Sequence, residues 1–422
     1  MIAPTSLRLV IAASRPSSFA DWRARLDREQ TAPVIAIAGS RGKTSVLRAV
    51  ESIFEAADLR FASWTNRGVE IEGQAQRGEL GPWSRVLTRL HAGGLDVALR
   101  EIDWATFQAV GFPGSVYPVV AISNLCGNSD ACLATPETLL AQKALARIRS
   151  NIAGSGRLIV NANDFDLAED TAVDTAHRYL IGVSPDAPTL RRHILNDGDA
   201  CWIEDSAIVI HEDGETIPVV DTRELRWVRD GNIPFAVQNA LMATAVARSC
   251  GIPVSVIAAG LARHDARPES MPGSFNVFDT GTSTIVIDRP MPSWFLRTSL
   301  RATGNLGVGH QLSVVGPMTT VPTEDLTEVG RLLGRNSAVI VIHGVWDPGR
   351  MALLRQGAAT NEVPPIVVQA GDERSAIQQG LGMLRAGDLM LILAENAPAA
   401  VRLVASRVRR QANGNRASAG AA

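Results

Sequence analysis

Cysteine is scarce in this 422-residue sequence: Cys126, Cys132, Cys201 and Cys250 are the four, and no two form a Cys-x-x-Cys pair. That usage argues against a disulfide framework or a cysteine zinc site and fits a reducing cytoplasm. An excess of one charge sign is also lacking. The formal net charge is −2, with acidic and basic residues mixed along the chain. No broad basic surface is implied, so no nucleic-acid partner is expected. Long apolar runs are missing as well. Residues 7–13 (LRLVIAA) are broken by Arg8 and fall far short of the about 20 residues that a bilayer span needs. They also lack the longer apolar region and small-residue cleavage site of a signal peptide, so they read as an amphipathic segment, and no membrane span is expected. No internal repeat is evident.

What is present is an ordinary globular composition, 46% hydrophobic and 20% charged, in a chain long enough for two or three cores. Residues 1–30 read as a short helical extension, with Trp22 and Leu26 at helical spacing. From Pro33 the pattern becomes short Val- and Ile-rich runs (34–38, 96–99, 119–123, 158–161) separated by helix-length stretches such as 46–56 and 136–148. That alternation predicts a mostly parallel sheet covered by helices. Residues 195–230 differ, reading as short β segments with turn signals at Asn196-Asp197-Gly198 and Asp213-Gly214. An alanine-rich helix from Pro234 to Cys250 and a second over 254–263 follow. The breaker-rich stretch 267–273 is the candidate boundary. Beyond it the α/β rhythm resumes, with strands expected at 284–288, 311–315, 338–342, 366–368 and 389–393. The expected organisation is an α/β fold: an extension over 1–30, a central P-loop domain over 31–270, a smaller Rossmann-like α/β domain over 271–411, and a disordered Ala/Gly/Asn/Ser tail over 412–422.

The strongest local signal is VIAIAGSRGKTSVLRAV, residues 34–50. A buried strand ends at Ala38, a glycine loop follows, and a helix starts near Lys43. Gly39 and Gly42 let the backbone turn tightly around phosphate oxygens, with Ser40 and Arg41 between them. The helix N-terminus adds N–H donors and a favourable dipole. In this reading Lys43 reaches the β- and γ-phosphates of ATP, and the Thr44 hydroxyl sits on Mg²⁺ with Ser45 beside it. The loop is a shortened Walker form, because Ile37 stands where the full pattern has its first glycine.

That loop and the segments after it resemble the Mur ligase superfamily, in order, over residues 31–411. Within the superfamily the spacing is most like the C-terminal ligase module of cyanophycin synthetases, and Arg41 within GSRGKTS is similar to the poly-γ-glutamate synthase branch. LDVALREIDW (95–104) looks like the strand that ends in a metal-binding glutamate, which implies that role for Glu101. VVAISNL (119–125) looks like the following strand. TPETLLAQKALARI (135–148) looks like the helix with a carbamylated lysine, which implies Lys143. GRLIVNANDFD (156–166) resembles a further strand and turn. NIPFAVQNALMATAVARSCGIP (232–253) resembles the helix whose asparagine, here Asn239, contacts adenine. MPGSFNVF (271–278) and STIVIDRP (283–290) look like the opening of the C-terminal domain, which implies that Asp288 and Arg289 lie where it meets nucleotide. MLRAGDLMLILAE (383–395) resembles its close.

Three places depart from the pattern. An Asp-His pair is replaced by Asn128-Ser129, with Asp130 adjacent. Pro-Gly-Arg-Phe becomes Pro272-Gly273-Ser274-Phe275. Asp-Tyr-x-His-Asn-Pro becomes Asp288-Arg289-Pro290-Met291-Pro292. Each loss removes charge stabilisation from an acyl-phosphate step. The resemblance implies an ADP-forming carboxylate–amine ligase acting on an amino acid, peptide or polyamide, with ATP and Mg²⁺. The alternatives are a degenerate nucleotide-binding partner of an active ligase, and an enzyme that stops at phosphoryl transfer. Only about 30 residues precede the loop, so a UDP-linked wall precursor is not expected as substrate. The ATP-grasp half of cyanophycin synthetase is not seen either, which leaves a homo-oligomer or a separate biosynthetic partner open.

Overall fold

The computed structural model describes residues 16–102, 116–124, 147–148, 150–170, 177–306 and 309–419. The chain forms two compact units; among the described residues the first holds 16–124, 147–221 and Gln238–Arg263, and the second holds Thr222–Val237 and 264–419. The second unit thus takes in Thr222–Val237, which sequence order alone assigns to the central domain.

In the first unit the described strands form one eleven-stranded sheet. Val34–Ala38 lies at its heart, parallel to Val97–Ile102 on one side and Tyr117–Ile122 on the other. All five of its residues are buried, which is why it reads as a continuous apolar run rather than an alternating one. Ile152–Asn161, His177–Ile181 and Asp199–Glu204 continue the parallel order outward. Ala207–Glu212 and Glu215–Asp221 close that side antiparallel. The turn between those two is Asp213-Gly214, both at positive φ (53° and 77°), the conformation a two-residue hairpin loop demands. Phe61–Thr65 runs parallel to Val97–Ile102 on the other flank.

The helix Lys43–Ala56 buries Val46, Leu47, Val50, Ile53 and Phe54 along one stripe. The helix Val254–Arg263 lies against it at Gly260, where a Cβ would stand 2.4 Å from the Ile53 Cα. Only glycine permits that approach. Two ion pairs join separate elements, a buried one between Arg157 and Asp199 and a partly buried one between Arg248 Nε and Glu212 at 2.9 Å.

The second unit has a six-stranded sheet in the order Asn276–Asp279, Thr284–Asp288, Leu389–Leu393, Gln311–Val315, Val339–Ile342, Ile366–Gln369. The last five are parallel and the first is antiparallel to its neighbour. Ile285, Ile287, Val314, Val341, Ile377, Ile392 and Val401 form its core. Helix starts are well specified: Asp372 and Ser375 make a reciprocal capping box, and Asp347 caps a helix with Pro348 in its first turn. The last helix, Ala397–Ala419, runs into the segment read from composition as a disordered tail. Its alanines and arginines are strong helix formers and no proline stops it after Pro398, so propensity favours helix there. None of the described helices is long and apolar enough to cross a membrane.

Candidate functional site

At the carboxyl end of Val34–Ala38 the chain turns through Gly39 (φ 135°) and Gly42 (φ 85°). Gly42 is the N-cap of the helix that begins at Lys43 and is left-handed, with no side-chain cap bond. The first N–H groups of this helix have no intrahelical acceptor, an arrangement that suits an anion.

Three side chains meet beside it. Lys43 Nζ donates to the Gly39 carbonyl at 2.8 Å and lies 3.8 Å from Glu101 Oε1. The Thr44 hydroxyl donates to Glu101 Oε2 at 2.8 Å. The two strands run parallel in register, Ile37 opposite Glu101, so the sheet itself delivers the carboxylate to the loop. The two side chains are only 12% and 7% exposed, so the attraction between their charges is stronger than at an open surface.

A set of polar side chains braces the loop from the next strand. Asn124 grips the Arg41 peptide at both ends, accepting from its N–H at 3.2 Å and donating Nδ2 to its carbonyl at 3.1 Å. The Asn124 carbonyl accepts from Ser40 N–H at 3.0 Å. The Ser123 hydroxyl donates to the Arg41 carbonyl at 2.7 Å. Asn161, one strand further on, donates to the Ser123 carbonyl at 3.2 Å. From the opposite side comes Asn239, whose Oδ1 would lie 2.7 Å from a Cβ at Gly42. Its side chain is nine-tenths buried against the loop backbone. Ser123, Asn124 and Asn161 were not singled out as site residues by sequence. Their signal was polar residues at the ends of buried strands, in VVAISN and LIVNAN.

Behind the loop, the buried Glu51 carboxyl is pushed up by burial and pulled back by the Arg48 charge. Arg48 also bonds Glu70 and holds that carboxyl below the usual range. These groups tie the loop helix to the sheet.

Among the described residues no group of three or more His, Cys, Asp or Glu side chains gathers as a metal cluster. One carboxylate and one hydroxyl nevertheless suit Mg²⁺, which is commonly held by one or two carboxylates with phosphate and water completing its shell. Lys143, Asn128, Ser129 and Asp130 lie outside the described residues.

The remaining sequence-selected pair is in the second unit. Asp288 ends its strand with a carboxylate 1% exposed. Oδ1 accepts from Arg289 N–H at 2.9 Å and Oδ2 from the Ser299 hydroxyl at 3.0 Å. Arg289 is exposed, its stem crosses Gly273, and Nη2 donates to the Pro272 carbonyl at 3.2 Å. Ser274 is exposed beside it, and Asn276 locks the turn by bonding Gly273 N–H and the Met271 carbonyl.

No protein-family profile matches the chain. It is 25% identical over 391 residues to the cyanophycin synthetase of Trichormus variabilis, covering 89% of this chain and 42% of that protein. Against the cyanophycin synthetase of a Synechocystis species the figures are 24%, 391 residues, 89% and 44%. The chain thus spans less than half the length of these curated relatives. Among solved structures it is similar to a pseudomurein peptide ligase type C from Methanothermus fervidus, with TM-score 0.60 and 16% identity over 89% of this chain and 78% of that one. It is also similar to E. coli FolC in complex with ADP, with TM-score 0.58 and 16% identity over 92% and 93%. MurF ligase from Thermotoga maritima in complex with ADP gives TM-score 0.57 and 15% identity over 93% and 82%. At these identities the structural likeness speaks to fold. A folylpolyglutamate synthase/dihydrofolate synthase in this group was solved with Mn, AMPPNP and L-glutamate bound. This chain therefore has the fold of the Mur ligase superfamily and resembles it in sequence over most of its length.

Proposed function

We propose that this protein joins a carboxylate to an amine at the expense of ATP, releasing ADP, by way of an acyl phosphate. The observation that carries this reading is the meeting of Lys43, Thr44 and Glu101 at a glycine-bounded helix start. The substrates are read as an amino acid, peptide or polyamide, in keeping with the ligases the chain resembles.

In this mechanism the loop Gly39, Ser40, Arg41, Gly42, Lys43, Thr44 and Ser45 holds the nucleotide phosphates. The free N–H groups of the helix start and the Lys43 ammonium offset the charge that builds as carboxylate and γ-phosphate approach. Thr44 and Glu101 would hold Mg²⁺, which supplies further charge neutralisation on the phosphate oxygens. To do so the Thr44 hydroxyl exchanges its present bond to Glu101 for the ion. Asn239 fixes the position of Gly42 next to the nucleotide. By the resemblance, Arg289, exposed and steadied through its backbone N–H by Asp288, is the charge read as taking over from the superfamily arginine that Ser274 replaces. The amine then attacks the acyl carbon and phosphate leaves.

The test is mass spectrometry of products formed from Mg²⁺-ATP and pools of amino acids and short peptides. An ATP-dependent adduct lighter than its two reactants by one water establishes the ligase and names its substrates. Phosphorylated product without an adduct indicates an enzyme that stops at phosphoryl transfer. Nucleotide binding with no turnover in any pool indicates a partner of a separate ligase.

A further inference from the structure

We propose that a cavity in the first unit, at the amino ends of its parallel strands, binds a small organic amine through the carboxylate of Glu29. The cavity measures about 630 Å³, within the range of small-molecule sites. It lies where the chain enters Val34–Ala38. Gly39 is at the other end of that strand, so the cavity is separate from the phosphate loop and does not rest on the reaction proposed there. One wall is a bulge in the strand Ile152–Asn161. Tyr117 pairs with Ile152 but Val119 pairs with Arg157. The register shift leaves Gly154 and Ser155 out of the pairing with that neighbour, a device common beside functional sites.

The lining sets the charge preference. Glu29 faces the cavity, and the Ser155 hydroxyl, 2.6 and 2.7 Å from its two oxygens, fixes the carboxylate in place. A single hydroxyl hydrogen leaves most of the carboxylate's acceptor positions open. The helices Phe19–Arg28 and Leu80–His91 both end here, since Glu29 caps the first and His91, the other titratable lining residue, closes the second. Two helix C-termini add partial negative charge that favours a cation. Among the described residues no lysine or arginine lines the cavity. Arg25, Arg28 and Arg89 stand in the last turns of the two helices but are not part of the lining, and Arg89 is engaged by Glu72 at 2.9 Å. Gln30 (φ 54°) takes the left-handed position after a helix that glycine usually fills, which sets an amide beside Glu29. Val116, 45% exposed, gives an apolar side for a carbon chain. An ammonium group on a short aliphatic chain matches this lining, and an anion does not.

The experiment is titration calorimetry of the full chain, without nucleotide, against cadaverine, its di-N-acetyl derivative and glutarate. The expected result is saturable binding of cadaverine and none of the other two. Glu29→Gln keeps an acceptor for Ser155 at an exposed position, so melting is retained while cadaverine binding weakens roughly tenfold or more. Gly154→Leu tests the place without touching the charge: a Cβ there meets no atom within 4 Å, so the side chain enters open space and narrows the cavity, weakening cadaverine as well. Absence of saturable cadaverine binding overturns the proposal, and so does equal binding of the acetylated compound or of glutarate. Cadaverine binding indifferent to Glu29→Gln or to Gly154→Leu overturns it too.

Discussion

Val34–Ala38 and Thr284–Asp288 hold corresponding places in the two units: each is a short, buried, parallel strand followed by a turn into a helix. Their ends are chemically opposite. The first turn contains glycines at φ 135° and 85°, so its backbone can turn tightly into the start of the next helix, while Asn124 takes up the Ser40 and Arg41 N–H groups. The second turn reads Arg289-Pro290-Met291-Pro292, and its two prolines have no N–H to offer. At the first end the charged side chains meet over the loop. At the second the carboxylate turns inward to a backbone N–H and a serine hydroxyl. Strand–turn–helix topology alone does not suit a phosphate; a glycine-bounded turn and a helix start whose first N–H groups have no intrahelical acceptor do.

Four substitutions or conditions separate the two ends. Lys43→Ala should lower ATP turnover about a thousandfold or more, since a charge aimed at the transferring phosphate is lost. Its melting temperature should fall less than that of Asp288→Ala, because Thr44 still donates to the Glu101 carboxylate. Asp288→Ala should do the reverse, leaving the buried Ser299 hydroxyl without that acceptor and costing about 1–3 kcal/mol in denaturant unfolding, with a smaller effect on turnover. Gly42→Ala forces a side chain into a left-handed position and against Asn239. It should weaken nucleotide binding roughly tenfold by calorimetry, for about 1–2 kcal/mol of strain. The smallest effect concerns pH. Burial, with the Arg178 charge second, holds His193 of the first unit down to about 4 from 6.5. The unfolded chain takes up a proton that the folded one refuses, so this group's contribution to stability is full above pH 6.5 and is lost as pH falls toward 4. His343 in the second unit is also held low by burial. His193→Gln should therefore flatten only part of the acid loss seen by thermal melting.

Much of this was legible in the chain. Strands 34–38, 284–288, 311–315 and 389–393 are apolar runs buried on both faces, and their burial is what makes them readable. Phe61–Thr65 and His177–Ile181 were missed because FASWT and HRYLI carry polar residues that only the neighbouring strands and helices shelter. The glycine loop announced itself through Gly39, Gly42, Lys43 and Thr44. Glu101 needed the resemblance, since a lone glutamate at a strand end has no local signature and only the register with Ile37 puts it at the loop. The Ser123–Asn124–Asn161 brace was hidden for the same reason: its hydrogen bonds join segments far apart in sequence. Asn239 could be read as a polar residue on an alanine-rich helix, but not as the neighbour of Gly42.

The central claim is that the loop at Gly39–Ser45 drives an amine-consuming reaction. Its most direct test is ADP release from Mg²⁺-ATP by wild type and Lys43→Ala, with and without pooled amines, in the presence of pooled carboxylates. Release that rises with amine in wild type and vanishes in the variant is the predicted result. Amine-dependent release that survives in Lys43→Ala would contradict the account.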